Sequence, residues 1–324
     1  MTPLRRIVLG AVVVGGLSAV LWMGWRAISR PDVTSLRSQI IAPAGEATGF
    51  SRSQPGREFT FPSDHGPHPG FQTEWWYYTG NLTAAGGRRF GYQLTFFRRA
   101  LKPPMESKER LSAWAAEQVY MAHFAITDVM GKRHVPFERF SRGAAGLAGA
   151  ESPPYTVWVE DWRVEQVGAD PMVVRMLAAQ DGVAIDLHLV DRKGPTLQGD
   201  GGYSQKGPDP GNASYYYSQT RLETAGTVRL GEDIYEVDGR SWMDHEFSTG
   251  ALAPDQVGWD WFALQLDDGY DLMAFQIRRG DGTVDRMANG TLVGPEGEKQ
   301  HLSVDDFEIE VRSVSYTHLT LPTN

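Results

Sequence analysis

Residues 74–82 read EWWYYTGNL, and this aromatic, β-favouring stretch decides the fold. Two glycines, Gly86 and Gly87, follow as a turn. Residues 90–97, FGYQLTFF, then return with polar and apolar side chains in alternation. Two strand-like runs that are separated by a short glycine turn are typical of a β-hairpin. The sequence therefore predicts an antiparallel hairpin over residues 74–97.

Further strand-like segments follow this hairpin, with glycine, proline or aspartate between them. They cover residues 120–127, 155–164, 173–177 and 183–190. Only residues 107–118 favour a short helix. The chain contains 10 Trp, 12 Tyr and 14 Phe, a content that suits pleated sheets first and a ligand cavity second. We therefore expect an all-β protein.

The second half of the chain repeats features of the first. Trp76-Tyr77, which a glycine turn follows, has a counterpart in Trp261-Phe262, which Asp268-Gly269 follows at a similar interval. Long antiparallel meanders must close or stack to protect their edges. The repeat predicts two tandem barrels, the first over residues 58–200 and the second, incomplete, over residues 201–313.

Residues 1–30 are expected to insert into a membrane. Arg5 and Arg6 precede an uninterrupted apolar run from Ile7 to Trp25, which is close to the length that spans a bilayer. A signal anchor is favoured over a cleaved signal peptide, because no small-x-small site follows the run. Residues 31–57 form a linker with prolines and glycines. The protein is thus expected in the periplasm or elsewhere outside the cytoplasm, tethered to the inner membrane.

The last residues are expected not to belong to the natural protein. Residues 314–323, VSYTHLTLPT, read as the translation of a sequencing adaptor, and Asn324 follows them. The run FEIEV at residues 307–311 alternates as a strand does and then lacks a partner strand. We expect residues 314–324 to be an artefact and the true C-terminus to be missing. Genomic codons for these residues would contradict this expectation.

Charge, cysteine content and missing motifs exclude several classes of function. A net charge of −9, without a basic cluster outside the termini, argues against a nucleic-acid partner. The chain has no cysteine, which excludes thiolate catalysis and disulfide bonds. Phosphate loops, dinucleotide fingerprints, zinc-protease motifs and nucleophile elbows are missing as well. No cofactor and no metal are expected.

Residues 239–247, GRSWMDHEF, place charged side chains within a β-competent run. On a strand, Trp242, Asp244 and Glu246 share one face, and His245 lies on the other. Carboxyls spaced i, i+2 lie about 6–7 Å apart, so an aromatic surround can keep one protonated near neutral pH. Asp244 is therefore a candidate proton donor. The alternatives are a solvated strand face or a structural hydrogen-bond cluster, and a metal site is disfavoured because three adjacent residues of a strand cannot converge on one ion.

Two further candidates lie in aromatic segments. Glu74 is followed by Trp75 and Trp76, and burial beside tryptophan raises the pKa of a carboxyl group. Alternatively, Glu74 accepts hydrogen bonds that organise the core. The hydroxyls of residues 214–218, SYYYS, line a cavity in one interpretation and pack within a strand in the other.

Five of these motifs, in this order, resemble one known family. They are His68-Pro69, Glu74-Trp75-Trp76-Tyr77, Tyr215-Tyr216-Tyr217-Ser218, Trp242-Met243-Asp244-His245-Glu246 and Gly258-Trp259-Asp260-Trp261-Phe262. Residues 57–313 are similar to the lipocalin-like family of carotenoid 1,2-hydratases and predicted secreted hydrolases, which includes AttH and hydroxyneurosporene synthase. The resemblance implies two lipocalin-like β-barrels with an apolar ligand between or inside them. It also implies that Asp244 protonates the substrate and that Trp242 borders the same site.

The sequence as a whole predicts a cofactor-independent hydratase or hydrolase for an apolar, isoprenoid- or lipid-like substrate, with a carboxylic acid as proton donor. The predicted catalytic residues are Asp244, His245 and Glu246, of which His245 or Glu246 positions water. The predicted substrate-binding residues are Trp242, Tyr215, Tyr217, Glu74, Trp76 and Trp261. The alternatives are a non-catalytic periplasmic carrier of a hydrophobic ligand and a structural envelope protein.

Overall fold

The computed structural model describes residues 48–104, 112, 114–250 and 252–309. The predicted membrane segment, most of the linker, residues 107–111 and 113 of the predicted short helix and residues 314–324 lie outside these residues. The other half of that segment, residues 112 and 114–118, is not helical, so the short helix is not supported. No helix within the described residues is long and apolar enough to cross a membrane. The described residues form strands and two single-turn 3-10 segments, Ser63–His65 and Ala85–Gly87. The prediction of an all-β protein is thus confirmed.

Seventeen strands are present in the described part of the chain. In chain order they are β1 Thr73–Ala84, β2 Arg89–Ala100, β3 Gln118–Asp128, β4 Arg133–Arg142, β5 Ala148–Glu151, β6 Thr156–Val159, β7 Trp162–Gln166, β8 Val173–Gln180, β9 Val183–Asp191, β10 Thr196–Leu197, β11 Tyr203–Gln205, β12 Ala213–Leu230, β13 Asp233–Ser248, β14 Gln256–Gln265, β15 Asp271–Arg279, β16 Asn289–Val293 and β17 Lys299–Ser303. The hairpin predicted from the aromatic stretch is β1 and β2, which pair from Thr73↔Arg99 to Thr83↔Arg89.

Thirteen of these strands form one sheet, in the order β4-β3-β2-β1-β13-β12-β9-β8-β7-β6-β5, with β10 and β11 paired to β12. Strands from the two ends of this order approach each other. The ring of Phe124 in β3 lies 5.6 Å from that of Trp162 in β7, and the guanidinium of Arg139 in β4 lies 4.3 Å from the Trp162 ring. The sheet is therefore a nearly closed barrel.

The interior of this barrel is packed by aromatic and aliphatic side chains. Alternate residues of β1 point inward, so that Trp76 and Tyr78 are buried while Trp75 and Tyr77 are only half-buried. Phe96 from β2 and Met243 from β13 belong to the same core. The period of two in the aromatic stretch thus fills the barrel from one side of each strand.

The boundary predicted between two barrels does not coincide with a break between sheets. Strands β12 and β13, at residues 213–248, fall within the predicted second barrel, yet they lie in the first sheet between β1 and β9. β13 is long enough to pair with β1 without interruption from Thr73↔Ser248 to Ala84↔Val237, and this pairing keeps β13 in the first sheet. Only β14–β17 form a separate, four-stranded sheet. A second barrel that begins at residue 201 is therefore not supported.

The four-stranded sheet packs against the outer face of the barrel at β12 and β13. Tyr216 and Trp242 from the barrel share an apolar cluster with Met273, Phe275 and Ile277 of β15. This contact between the two sheets places side chains of β12 and β13 in a buried layer outside the barrel.

Ion pairs and hydrogen bonds connect the two sheets at one end of this layer. The fully buried Asp271 of β15 accepts hydrogen bonds from Lys193 at 2.8 Å, from Arg221 at 2.6 Å and from Thr220 at 2.9 Å. Because two cations contact the carboxylate and Thr220 adds a third donor, the negative charge of Asp271 is paired despite its burial.

Candidate active site

The strand β13 divides the predicted motif between two faces. Trp242 joins the cluster between the sheets, whereas Met243 joins the core of the barrel. Asp244 and Glu246 follow Trp242 to the outer face, and His245 follows Met243 to the interior, as strand alternation requires. The sequence motif therefore contributes to two separate polar sites.

Asp244 is held on the outer face by two donors to one of its oxygens. Ser218, its cross-strand partner in β12, donates to Oδ1 over 2.5 Å. The indole Nε1 of Trp242 donates to the same Oδ1 over 2.8 Å. Gln198 in turn donates from Nε2 to the Ser218 hydroxyl over 2.8 Å, which directs the single proton of Ser218 towards Asp244.

The environment of Asp244 favours its protonated form. The side chain is buried, with 5% of the residue exposed, and no salt bridge reaches it from any described residue. Burial raises the pKa of Asp244 to about 7, and the negative charge of Glu246 adds to this rise. Hydrogen bonds from Ser218, Trp242 and Tyr216 oppose it only in part. Both protonation states are thus accessible near neutral pH, which suits a general acid.

Aromatic rings surround this carboxyl group from both sheets. The indole Nε1 of Trp261 in β14 donates to the Tyr216 hydroxyl over 3.2 Å. The ring centroid of Trp261 lies 6.4 Å from that of Trp242 and 5.5 Å from that of Tyr77. Such faces can stabilise a positive charge that develops beside Asp244.

Glu246 lies on the same face as Asp244 and has a cation as partner. Lys206 Nζ is 3.4 Å from Glu246 Oε1, and both residues are almost fully buried. The same Nζ lies 4.1 Å from the ring centroid of Phe275 in β15, so the ion pair belongs to the layer between the sheets. Glu246 therefore has a cation beside it, whereas Asp244 has no such counter-charge among the described residues.

The interior face carries a different polar cluster around Glu74. Arg98 Nε donates to Oε2 of the fully buried Glu74 over 2.8 Å. On Oε1, Glu74 contacts His68 Nδ1 at 2.7 Å and His245 Nε2 at 2.8 Å. Burial would raise the pKa of Glu74, but Arg98, His245 and His68 together hold it well below its ordinary value.

His245 belongs to this interior cluster and not to the site of Asp244. Its Nδ1 lies 3.1 Å from the Tyr217 hydroxyl, and its ring stacks on Trp76 with 4.8 Å between centroids. Tyr217 also contacts His65 Nδ1 at 2.7 Å. The predicted role of His245 in positioning water for Asp244 is therefore not supported, because the sheet separates the two side chains.

The predicted substrate-binding residues divide in the same way. Trp242 and Trp261 lie beside Asp244, whereas Trp76, Glu74 and Tyr217 lie inside the barrel. Tyr215 packs with Phe71 and Phe247 in a third cluster, and its hydroxyl donates to the Gln54 carbonyl over 2.8 Å.

The interior cluster also offers ligand types that metals use. One ligand atom each from His68, Glu74 and His245 lies within 4.8 Å of the others, and imidazole with carboxylate is a frequent zinc set. Both His–Glu contacts, however, are at hydrogen-bond distance, and Arg98 occupies the other carboxylate oxygen. Asp64 accepts from the remaining nitrogen of His68 over 2.9 Å. We interpret the cluster as a hydrogen-bonded ion-pair network centred on Glu74, in which Arg98 Nη1 has no partner among the described residues.

Sequence reasoning missed Gln198 and Lys206, which contact the Asp244 site. It named the SYYYS motif as a candidate but selected Tyr215 and Tyr217 from it, not Tyr216 and Ser218. Strand alternation places Tyr216 and Ser218 opposite to Tyr215 and Tyr217, so the SYYYS motif contains both sets. The choice between them requires the register Ser218↔Asp244, which no local pattern in the sequence supplies.

Comparisons with known proteins agree with this architecture. A family model described as AttH-like matches residues 52–323. A solved structure from Nitrosomonas europaea, of a protein described as an AttH, is 31% identical, and the match covers 79% of this chain and 76% of that chain with a TM-score of 0.69. Kievitone hydratase from Nectria haematococca shares the fold, with 13% identity over 81% of this chain and 73% of that chain and a TM-score of 0.56. No curated protein matches this chain.

Proposed function

The chain belongs to the AttH-like family, and from this premise we propose that it is a hydratase-type enzyme whose general acid is Asp244. The resemblance expected for residues 57–313 is thereby confirmed. The observation that carries the proposal is a buried carboxyl group without a cation partner among the described residues, set between aromatic rings. The fold shared with kievitone hydratase is consistent with this type of reaction.

The hydrogen bonds to Asp244 determine which oxygen carries the acidic proton. Oδ1 accepts from Ser218 and Trp242, so the proton is carried by Oδ2. In the first step this proton passes to one carbon of a substrate double bond. The π electrons form the new C–H bond, the adjacent carbon becomes a cation, and the O–H electrons remain on the carboxylate.

Water then captures the cation, and the acid is regenerated. A lone pair of water forms the C–O bond, and the oxonium loses one proton to the Asp244 carboxylate. Alkene and water give an alcohol, so the reaction needs no electron acceptor. The faces of Trp242, Trp261 and Tyr216 stabilise the cation, by roughly 1–2 kcal/mol for each desolvated contact.

Glu246 is suited to orient the attacking water. It stands two residues from Asp244 on the same face of β13, which places the two carboxyls about 6–7 Å apart. Its carboxylate pairs with Lys206 over 3.4 Å, and a carboxylate accepts hydrogen bonds from water. If the substrate is an ester, the same acid protonates the leaving group and the same water attacks the carbonyl carbon.

The ligand is better placed between the sheets than inside the barrel. The barrel interior is filled by large buried side chains such as Trp76, Trp162 and Phe96. The layer outside it combines the acid with apolar side chains of β15. An apolar, isoprenoid- or lipid-like substrate fits this layer, because its hydrocarbon part can contact Met273 and Phe275.

The four-stranded sheet is part of a second lipocalin-like barrel in this proposal. Strands β14 and β15 form a hairpin with Trp261 opposite Phe275, which parallels the hairpin β1–β2 with Trp76 opposite Phe96. A crystal structure of a full-length relative in which β14–β17 close with further strands would support this. A sheet that remains open there would contradict it.

We propose that the protein acts outside the cytoplasm, anchored through residues 1–30. The support is the apolar run between Ile7 and Trp25 in the sequence. Alkaline phosphatase fused after residue 57 is expected to be active, because this reporter folds only outside the cytoplasm. An inactive fusion of normal abundance would contradict the proposal.

Incubation with lipid extract of the host in heavy-oxygen water tests the reaction. Mass spectrometry should detect a product that gains heavy oxygen with the wild type and not with Asp244→Asn. Asp191→Asn is the matched control, since Asp191 is also buried with a raised pKa but lies on β9 and accepts from Gln219. A lipid that both wild type and Asp244→Asn bind and release unchanged would favour the carrier function.

A further inference from the structure

The layer between the two sheets is chemically asymmetric. From the four-stranded sheet it receives Met273, Phe275 and Ile277, all apolar and buried. From the barrel it receives Tyr216, Trp242 and a row of polar side chains. This polar row consists of Ser214 and Ser218 on β12, Ser204 on β11 and Gln198, which directly follows β10. Layers between packed sheets are ordinarily apolar on both sides. The polar row therefore requires an explanation beyond the packing of the two sheets.

Three polar atoms in this row are buried and lack a hydrogen-bond partner among the described residues. They are Gln198 Oε1, Ser204 Oγ and Ser214 Oγ. Each of these residues has 0% of its surface exposed. More than nine in ten buried polar groups in proteins are paired, and an unpaired one costs about 1–3 kcal/mol. Three on one face of β12 and the segments paired to it are thus unlike ordinary structural polar groups.

Their positions connect them to Asp244. Gln198 donates through its backbone to the Tyr216 carbonyl over 3.0 Å and through Nε2 to Ser218 over 2.8 Å. Ser204 is the cross-strand partner of Ser214. Ser214 precedes Ser218 by four residues on the same face of β12, a distance of about 13 Å along the strand. The polar row therefore extends from Asp244 along β12, on the barrel side of the layer between the two sheets.

The unpaired atoms define which chemical group they can receive. An amide oxygen only accepts, so Gln198 Oε1 requires a donor. Its orientation is fixed, because the Ser218 proton is directed to Asp244 and Ser218 must accept from the amide nitrogen. The hydroxyls of Ser204 and Ser214 can donate or accept. A hydroxyl group satisfies all three, whereas a hydrocarbon satisfies none.

We infer that Gln198, Ser204 and Ser214 form a polar subsite, and that the substrate of Asp244 is an apolar molecule that carries a hydroxyl group rather than a pure hydrocarbon. The hydrocarbon part contacts Met273 and Phe275, and the hydroxyl replaces the missing partners in the polar row. This inference rests on the proposed function, which supplies the reaction at Asp244. The test of the inference measures binding and not turnover, so a failure of the inference can be distinguished from a failure of the proposed function.

The first experiment compares probes that differ by one hydroxyl group. Isothermal titration measures farnesol against farnesene, and 4-prenylphenol against prenylbenzene, with wild-type protein, Asp244→Asn and the double variant Ser204→Ala/Ser214→Ala. We expect at least one hydroxylated probe to bind about tenfold more tightly than its hydrocarbon partner, equally in wild type and Asp244→Asn. The double variant should reduce this preference to threefold or less. Equal binding of the partners, no binding of either hydroxylated probe, or an unchanged preference in the double variant would overturn the inference.

The second experiment separates a binding role from a structural one. Ser204→Ala/Ser214→Ala removes hydroxyls without partners, so its Tm in the absence of ligand should equal or exceed that of the wild type by a few degrees. Ser241→Ala is the matched control, since its buried hydroxyl contacts Tyr92 and Thr224 at 2.7 Å each. Its Tm should fall by a few degrees. A fall of the same size in the double variant would assign Ser204 and Ser214 to structure and contradict the subsite.

Discussion

Two buried carboxyl groups, Glu74 and Asp244, lie on opposite faces of the same pair of strands and differ in their partners. Glu74 on β1 faces the barrel interior, where Arg98 and two histidines contact it. Asp244 on β13 faces the second sheet, where it receives only neutral donors. The pKa of Glu74 is far below its ordinary value, and that of Asp244 is raised to about 7. Burial is common to both, so the partners decide whether the pKa of a buried carboxyl falls or rises.

The largest expected effect is on turnover in Asp244→Asn. Asparagine keeps the shape and can still accept from Ser218 and Trp242, but it has no acidic proton to transfer. We expect kcat to fall by about 10²–10⁴-fold, the usual contribution of a general acid, with little change in ligand affinity. Measurement of kcat on the product identified in heavy-oxygen water tests this. Undiminished turnover in a folded variant would remove Asp244 from the mechanism.

The counterpart is Arg98→Met, which should affect stability and not chemistry. Removal of the guanidinium leaves Glu74 as a buried charge without its main partner, which costs about 3–5 kcal/mol of unfolding free energy. Arg192→Met is the control, because Arg192 pairs with Glu223 at the surface, where both side chains are 61% exposed, and such pairs contribute about 0–1 kcal/mol. Urea unfolding measures both values. If both variants lost a similar unfolding free energy, the ion pair of Arg98 with Glu74 would contribute no more to stability than a surface ion pair.

A third test uses the opposite pH dependence of the two groups. The pKa of Asp244 is raised, so between about 4, its value in an unfolded chain, and about 7 the folded state holds a proton that the unfolded state has released. Stability should therefore fall as pH rises through this window, and Asp244→Asn should lack this fall. Glu74 behaves in the reverse way, since its depressed pKa gives stability above about 4.3 that is lost as pH falls further. Tm of both proteins from pH 4 to 8 gives the difference, and parallel curves would contradict the raised pKa.

Activity should follow the same titration with a fixed sign. Asp244 must be protonated to act as an acid, so kcat is expected to be level below pH 7 and to decrease tenfold per unit above it. Asp191→Asn serves as the control and should leave this profile unchanged. A profile that rises through pH 7 would indicate a general base instead.

The difference between the two faces also explains what the sequence could reveal. The hairpin at residues 74–97 was predictable, because aromatic alternation and the Gly86-Gly87 turn are local signals. The choice of Asp244 as the candidate proton donor came from local spacing on one strand and from the family resemblance. The pairing of β13 with β1, and hence the place of residues 213–248 in the first sheet, depends on contacts more than 150 residues apart in the chain. For the same reason the sequence does not separate Tyr217 from the Asp244 site. Strand alternation alone places His245 on the face opposite to Asp244, and only the role in positioning water was wrong for it.

The smallest expected effect concerns Trp242, whose indole donates to Oδ1 of Asp244 over 2.8 Å. This hydrogen bond stabilises the ionised carboxylate, so Trp242→Phe should raise the pKa of Asp244 and move the decrease of kcat to higher pH. One hydrogen bond of about 0.5–1.5 kcal/mol corresponds to a shift of roughly 0.4–1 pH unit. Trp162→Phe is the matched control, because the Trp162 indole on β7 donates to the Ala179 carbonyl over 3.0 Å and makes no contact with Asp244. A shift to lower pH in Trp242→Phe, or equal shifts in both variants, would mean that the neutral donors do not set the acidity of Asp244.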